Sequence, residues 1–185
     1  MENFEKVYNI VKNKLSEKRF YHSVCTMERC VEYAKIYGVD EEKAKLVGIA
    51  HDIVKETPKE LRIEEANRYG VNLDEIEKKS LALVHAKVGA EICKKEFGFT
   101  EDMVNAIKYH TTGRENMTIL EKITYLADAT GKDREYEESK IAYELTKKDI
   151  DEALIYFFKK TIEWTIQDNK LLHPDTIKAY NYLIK

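Results

Sequence analysis

Chain-breaking residues are scarce. The 185 residues contain two prolines and seven glycines, which excludes a Pro- or Gly-rich low-complexity chain. Strict alternation of apolar and polar residues is almost absent, which argues against half-buried strands. Cysteine is sparse too: Cys25, Cys30 and Cys93 are an odd number with no CxxC or other zinc-type spacing. Neither a disulfide framework nor a cysteine-ligated structural metal fits them, and free, buried thiols in a reducing compartment are expected. No segment approaches the ~20 consecutive apolar residues of a membrane span. The opening MENFEKVYNIVKNKL is charged and amphipathic, without an uninterrupted apolar core. The chain is therefore expected to be cytoplasmic, with no membrane partner. The net charge is only -3, and lysines interleave with glutamates instead of gathering into a basic stripe, which argues against long nucleic acid as a partner.

Apolar residues make up 43% of the chain and charged residues 35%, enough for one buried core at a length where a single domain is the default. Residues 1–185 are read as that domain. Apolar positions recur at three-and-four spacing, so the fold class is expected to be all-α, with about ten helices joined by short loops. The first spans 3–17, and the second runs from near Phe20 to Gly38, a residue suited to the left-handed position that closes a helix. Asp40 caps the third. TPKE at 57–60 offers a threonine cap, a proline at the first helical position and a glutamate three residues on, and Gly70 ends that helix. Further helices are predicted over 72–79, from 83 to Gly98, and from Thr100 to Thr111. TILE at 118–121 is a second capping box, opening a helix through Ala129. Helices over 149–170 and after Pro174 complete the set. The stretch 130–148 is polar and shows no clear element, and its acidic EYEESK segment is expected to be solvated and mobile.

GIAHDIVKET, at 48–57, sets His51 beside Asp52 in a mostly apolar run. Neighbours on a helix point roughly 100° apart and cannot stack, but both can flank one object lodged against that face. Alone, the pair is better explained as a hydrogen-bonded core histidine next to a surface aspartate. The other histidines change this. His22, His51, His85 and His110 fall on separate predicted helices or at their ends. His110 follows Met103, Ala106 and Ile107 on a core-facing stripe, and His85 heads a face in which Gly89 leaves room for an inserted group. Asp128 is embedded in the apolar ITYLADAT with no cation at the three or four positions before it, and a buried lone carboxylate is costly. Six inward donors over-supply one metal ion. They suit two ions about 3.5–4 Å apart with one aspartate bridging, the arrangement that hydrolyses phosphate esters and anhydrides. Nitrogen-plus-oxygen ligation leaves iron, manganese, cobalt, nickel and zinc open.

RFYHS (19–23), AHDIVK (50–55), LVHAKVGA (83–90), IKYHTTG (107–113) and ITYLADA (123–129) together resemble the HD-domain phosphohydrolases, and within them the branch that hydrolyses diadenosine tetraphosphate symmetrically. The resemblance runs from about residue 15 to the carboxyl terminus. It implies an HD-type helical bundle in which His22, His51, Asp52 and Asp128 hold one metal, while Asp52 bridges to a second held by His85 and His110. It also makes iron the first choice of metal. Lys55 matches the lysine that often follows the HD pair, and is otherwise a solvated surface residue. Thr111, Thr112 and Gly113, directly after a ligand, offer a hydroxyl and amides to phosphate oxygens, with ordinary helix-end chemistry as the alternative. Where this branch usually carries isoleucine-glutamate and then an arginine, the chain reads ATGKDRE from Ala129. Gly131 takes the glutamate position and Arg134 the arginine position, which leaves the preferred nucleotide open. Arg19 is a further candidate phosphate ligand.

The mechanism expected from this chemistry is attack by hydroxide bridging the two ions at an inner phosphorus, expelling a nucleoside diphosphate. Asp52 and Lys55 are the catalytic candidates, with Lys55 and Arg134 neutralising the leaving group. The partner is a dinucleoside polyphosphate or another nucleotide. Hydrolysis of a nucleoside monophosphate or guanosine alarmone, and metal-dependent nucleotide sensing without turnover, stand as alternatives. The apolar helix IDEALIYFFKKTIEWTIQDNKLLHP is explained mainly by core packing, with a homodimer face as the alternative, and His173 is read as a loop residue outside the ligand pattern.

Overall fold

A computed structural model describes residues 3–185, with Met1 and Glu2 outside the described residues. Among the described residues eleven α-helices follow one another: α1 Phe4–Lys14, α2 Glu17–Tyr37, α3 Glu41–Ala50, α4 Arg62–Tyr69, α5 Glu75–Lys79, α6 Val84–Phe97, α7 Glu101–Lys108, α8 Ile119–Thr130, α9 Glu137–Thr146, α10 Ile150–Gln167 and α11 Pro174–Leu183. No strand occurs among the described residues.

Local chemistry sets most of the boundaries. Ser16 accepts from the Arg19 amide to start α2, Gly38 closes it at φ 68°, and Asp40 accepts from the Lys43 amide to start α3. The TILE capping box forms as expected, with Thr118 and Glu121 reciprocally bonded at the head of α8. The box at TPKE does not. Residues Lys59–Leu61 make a short 3₁₀ turn and α4 begins only at Arg62. The Arg62 guanidinium instead donates to the carbonyls of Lys55, Thr57 and Leu81 at 2.8–3.0 Å, a fixture that a helix through this stretch would not offer. Helix α9 lies inside the polar stretch 130–148, where no element was discernible. It buries only Ser139, Ala142 and Thr146, small residues that give little hydrophobic signal, and the EYEESK segment forms its first turn.

Helix α3 is the axis of the molecule. Ala44, Leu46, Val47, Gly48, Ile49 and Ala50 are all buried in it, because α1, α2, α7 and α8 pack around it. Gly48 permits the close approach of α2: a Cβ there would lie 2.6 Å from the Met27 Cα. Helix α8 crosses α2, α3 and α7, and α9 and α10 cover its other side. His22, the end of α3, the start of α6, the end of α7 and the last turn of α8 are thereby turned toward one point.

Candidate metal centre

The HD pair sits just beyond α3, not within a continuous helix. Residues 51–56 form successive turns, with amides bonding three residues back, as from Ile53 to Ala50 and from Lys55 to Asp52. The turns are tied down at both ends. Glu56 accepts from the Ser16 amide and hydroxyl, each at 2.7 Å, and Arg62 holds the carbonyls of Lys55 and Thr57. The space opposite Gly89 is filled by this segment: a Cβ on Gly89 would touch Ile53, Val54 and the His51 carbonyl at 3.4–3.7 Å. Gly89 thus admits the HD turn against α6, where a bound group had been expected.

All six metal-ligand candidates converge. Asp52 Oδ2 lies 3.5 Å from His51 Nε2 and 4.0 Å from His22 Nε2, and Asp128 Oδ1 stands 2.9 Å from His22 Nε2 and 4.0 Å from His51 Nε2. The other oxygen of Asp52, Oδ1, faces His85 Nε2 at 3.1 Å and His110 Nε2 at 3.5 Å. Each oxygen of this carboxylate therefore faces its own pair of imidazoles, although the ligand atoms of His51 and His110 also come within 4.8 Å of each other. Asp52 and the four histidines are buried, while Asp128 is partly open to a neighbouring cavity.

The histidine tautomers are fixed by carbonyls. Nδ1 of His51, His85 and His110 donates to the carbonyls of Gly48, Ala82 and Ile107 at 2.6–2.8 Å, which leaves Nε2 of each ring as the atom that faces the cluster. His85 Nε2 and His110 Nε2 are 3.2 Å apart. Two lone pairs facing each other and a carboxylate oxygen at that range call for positive charge, of which the Lys55 ammonium, 3.0 Å from His85 Nε2, supplies a part from one side. Burial pushes the His51 and His85 imidazoles down to about 4, the Lys55 ammonium assisting at His85, so both are neutral and ready to donate at pH 7. Burial alone would raise Asp52, but His51, His110 and His85 outweigh it and hold the carboxyl well below its ordinary range. Among the described residues, His51 Nε2 and Asp52 Oδ1 have no hydrogen-bond partner. Orphaned donors of this kind, buried and 3–4 Å apart, fit ligands around ions at about 2.1 Å.

His22 differs from the other three. Its Nδ1 faces Asp133 Oδ2 at 2.8 Å and its Nε2 faces Asp128 Oδ1 at 2.9 Å. Burial lowers its pKa, yet the bonds to Asp128 and Asp133 more than reverse this and raise it. Asp133 is the residue that sequence reasoning missed. It orients His22 as carbonyls orient the other three rings, and it lies over Gly131, where a Cβ would come within 2.6 Å of Asp133 Oδ1. The departure at 131 and the carboxylate at 133 thus share one space, and the only available signal was an acid two residues beyond an unexpected glycine.

The remaining candidates divide. Arg19 Nη1 donates to Asp52 Oδ2 at 3.1 Å. Lys55 Nζ lies 3.0 Å from His85 Nε2 and 3.6 Å from Asp52 Oδ1, a place at the cluster and not out in solvent. Arg134 donates to the Asp128 carbonyl at 3.0 Å and to its Oδ1 at 2.7 Å. Thr111 lines the cavity next to Asp128. Thr112 and Gly113 are turned away from it: the Thr112 hydroxyl is bonded to the Gly113 carbonyl, the Gly113 amide to the Tyr109 carbonyl, and Gly113 abuts Phe158.

A helical bundle that gathers H, HD, H, H and D at one point defines a class, and the chain belongs to the HD-domain family, whose pattern it matches over residues 19–152. It is 36% identical to a Halalkalibacterium halodurans protein over 97% of this chain and 96% of that one. It is 35% identical to a Bacillus subtilis protein over 98% of each. Both relatives are named symmetrical bis(5′-nucleosyl)-tetraphosphatase. A crystal structure from Clostridium acetobutylicum, described as a predicted HD superfamily hydrolase involved in NAD metabolism, superposes with a TM-score of 0.95 at 38% identity, covering 100% of this chain and 98% of the other.

Proposed function

We propose that this HD-domain hydrolase cleaves diadenosine tetraphosphate symmetrically, releasing two ADP. The observation that carries the reading is the division of Asp52, with Oδ2 toward His22 and His51, which Asp128 also faces, and Oδ1 toward His85 and His110. These residues would hold two divalent ions, iron by family resemblance, with manganese, cobalt, nickel and zinc also suited to the donors. Such a pair supplies hydroxide near neutral pH and neutralises phosphate charge. The chain's own groups do the rest. Arg134, on the cavity side of Asp128, and Lys55, beside His85, place positive charge on both flanks of the cluster. A nucleoside diphosphate leaves as a stable anion, so fixed cations serve this reaction better than a strong general acid. Arg19 donates to Asp52, and Thr111 lines the cavity.

The test is an anaerobic assay of diadenosine tetraphosphate with iron or manganese, wild type beside Asp52→Ala, with products separated by chromatography. Two ADP per substrate, lost in the variant, is the expected result. ATP plus AMP, or no turnover from protein with metal bound, would refute it. Because the structurally similar Clostridium protein is described through NAD metabolism, NAD belongs in the substrate panel as a second phosphoanhydride-linked dinucleotide.

A further inference from the structure

A cavity of about 250 Å³ opens beside the cluster, between the end of α8 and the face of α10. One end is polar, formed by His110, Asp128 and Arg134. The other is walled by aromatic rings set nearly perpendicular to one another. Tyr136 and Trp164 stand 5.9 Å apart at 83°, Phe157 and Trp164 5.8 Å apart at 81°, and Tyr125 and Phe157 6.3 Å apart at 80°. Walls in this arrangement offer a flat ligand one ring face to stack on and ring edges around its rim. Elsewhere on α10 the inner face is closed, with Ala153, Leu154 and Phe158 fully packed. Of the four rings that wall the cavity, Tyr125 and Phe157 are buried, while Trp164 is half-buried and Tyr136 37% exposed. Tyr136 is pinned there by its hydroxyl, which donates to the Ala129 carbonyl at 3.1 Å. The cavity also has hydrogen-bonding capacity to spare, since the Thr161 hydroxyl has only a long 3.4 Å contact with the Tyr125 hydroxyl.

We infer that this cavity receives one nucleobase of the substrate, stacked on the Tyr136–Trp164 wall, with its phosphate chain running past Arg134 to the cluster. The inference rests on the nucleotide-hydrolase reading. The dimensions suit a single heterocycle, since the volume falls somewhat below the ~300 Å³ at which pockets begin to enclose larger ligands. Aromatic walls recognise the π-face that every base possesses. The adjoining arginine and the ligand side chains are where the attached phosphates must go, which sets a nucleotide apart from an apolar ligand.

Trp164 is the sole tryptophan of the chain, so its fluorescence reports directly on this wall. Manganese-loaded protein is titrated with ADP and, separately, with inorganic tripolyphosphate. Saturable quenching by ADP and none by tripolyphosphate is expected, with the ADP Kd raised roughly 10-fold or more in Tyr136→Ala and by clearly less in Tyr136→Phe, which keeps the ring and loses only its hydroxyl bond. An equal response to tripolyphosphate, or an unchanged Kd in Tyr136→Ala, would overturn the assignment. The two readings fail separately. Quenching by ADP without hydrolysis of diadenosine tetraphosphate keeps the base site and removes the substrate, while hydrolysis without quenching removes the base site alone.

Discussion

At the scale of single residues, the cluster is organised by what holds the back of each imidazole. Three rings are oriented by carbonyls at the ends of their own elements, and His22 by a side chain, Asp133. Such supporting partners are worth about 10- to 100-fold in metal affinity. Asp133→Ala is therefore expected to weaken one of two manganese sites by that factor and leave the other near wild type, as read by calorimetric titration. Two sites weakened equally would show that Asp133 supports the fold generally and not His22. Lys55→Ala should keep both metals and lose about 100-fold in kcat, the scale seen when a charge-stabilising donor is removed. Unchanged kcat would make it the solvated lysine that sequence reasoning kept as its alternative.

At the scale of elements, two contacts keep the cluster-bearing segments in place. The α2–α3 crossing depends on Gly48, because a Cβ there would press on the Met27 backbone, which has no rotamer with which to yield. Gly48→Ala is expected to cost about 1–3 kcal/mol in urea unfolding, and to weaken metal binding as well, since His51 lies three residues after Gly48. On the far side, Asp74 caps α5 through the Ile76 and Glu77 amides, and His173 Nε2 donates to it at 2.8 Å while Nδ1 accepts from the Asp175 amide. His173 is therefore a clasp between α11 and α5, with Lys87 bonded to Glu77 already supplying the local positive charge. Burial raises the Asp74 pKa, but the Glu77 amide and His173 outweigh it and lower the net value. A carboxyl depressed in the folded state contributes fully above its unfolded value of about 3.9 and loses that contribution as pH falls through the folded value. Asp74→Ala should thus cost about 1 kcal/mol at pH 7, and its difference from wild type should shrink below about pH 4. A difference independent of pH would mean that the charge plays no part in the cap.

At the scale of the whole molecule, the cluster joins α2, the turns that follow α3 and α7, α6 and α8 through buried donors that Arg19, Lys55 and Arg134 compensate only from its flanks. A metal held there would therefore be linked to the stability of the entire bundle. At a free metal concentration about 1,000 times Kd, the added stability is about 4 kcal/mol, or roughly 8–16 °C in Tm for a chain of this size. Differential scanning calorimetry with and without chelator measures it. Asp52→Ala, which removes the carboxylate shared by both halves, should abolish the shift. A shift that survives in this variant would place the stabilising metal elsewhere. No helix among the described residues is long and apolar enough to cross a membrane, and the three cysteines are free and buried, as their spacing led one to expect.

The all-helical class, most helix boundaries and the inward set His22, His51, Asp52, His85, His110 and Asp128 were legible in sequence. Apolar periodicity, capping residues and closing glycines act within a few residues of one another, and a histidine on an apolar stripe declares its face. Helix α9 was not legible, because it packs through small residues on an otherwise polar segment. The failed box at Thr57 was decided from afar, by carbonyls that recruit Arg62. Tertiary structure alone placed Asp133 behind His22, divided Asp52 between two groups of imidazoles, turned Thr112 and Gly113 inward, and opened a cavity beside Trp164 where the sequence pattern reads as core. Each of these depends on distances between segments far apart in the chain, and local pattern carries no information about such distances.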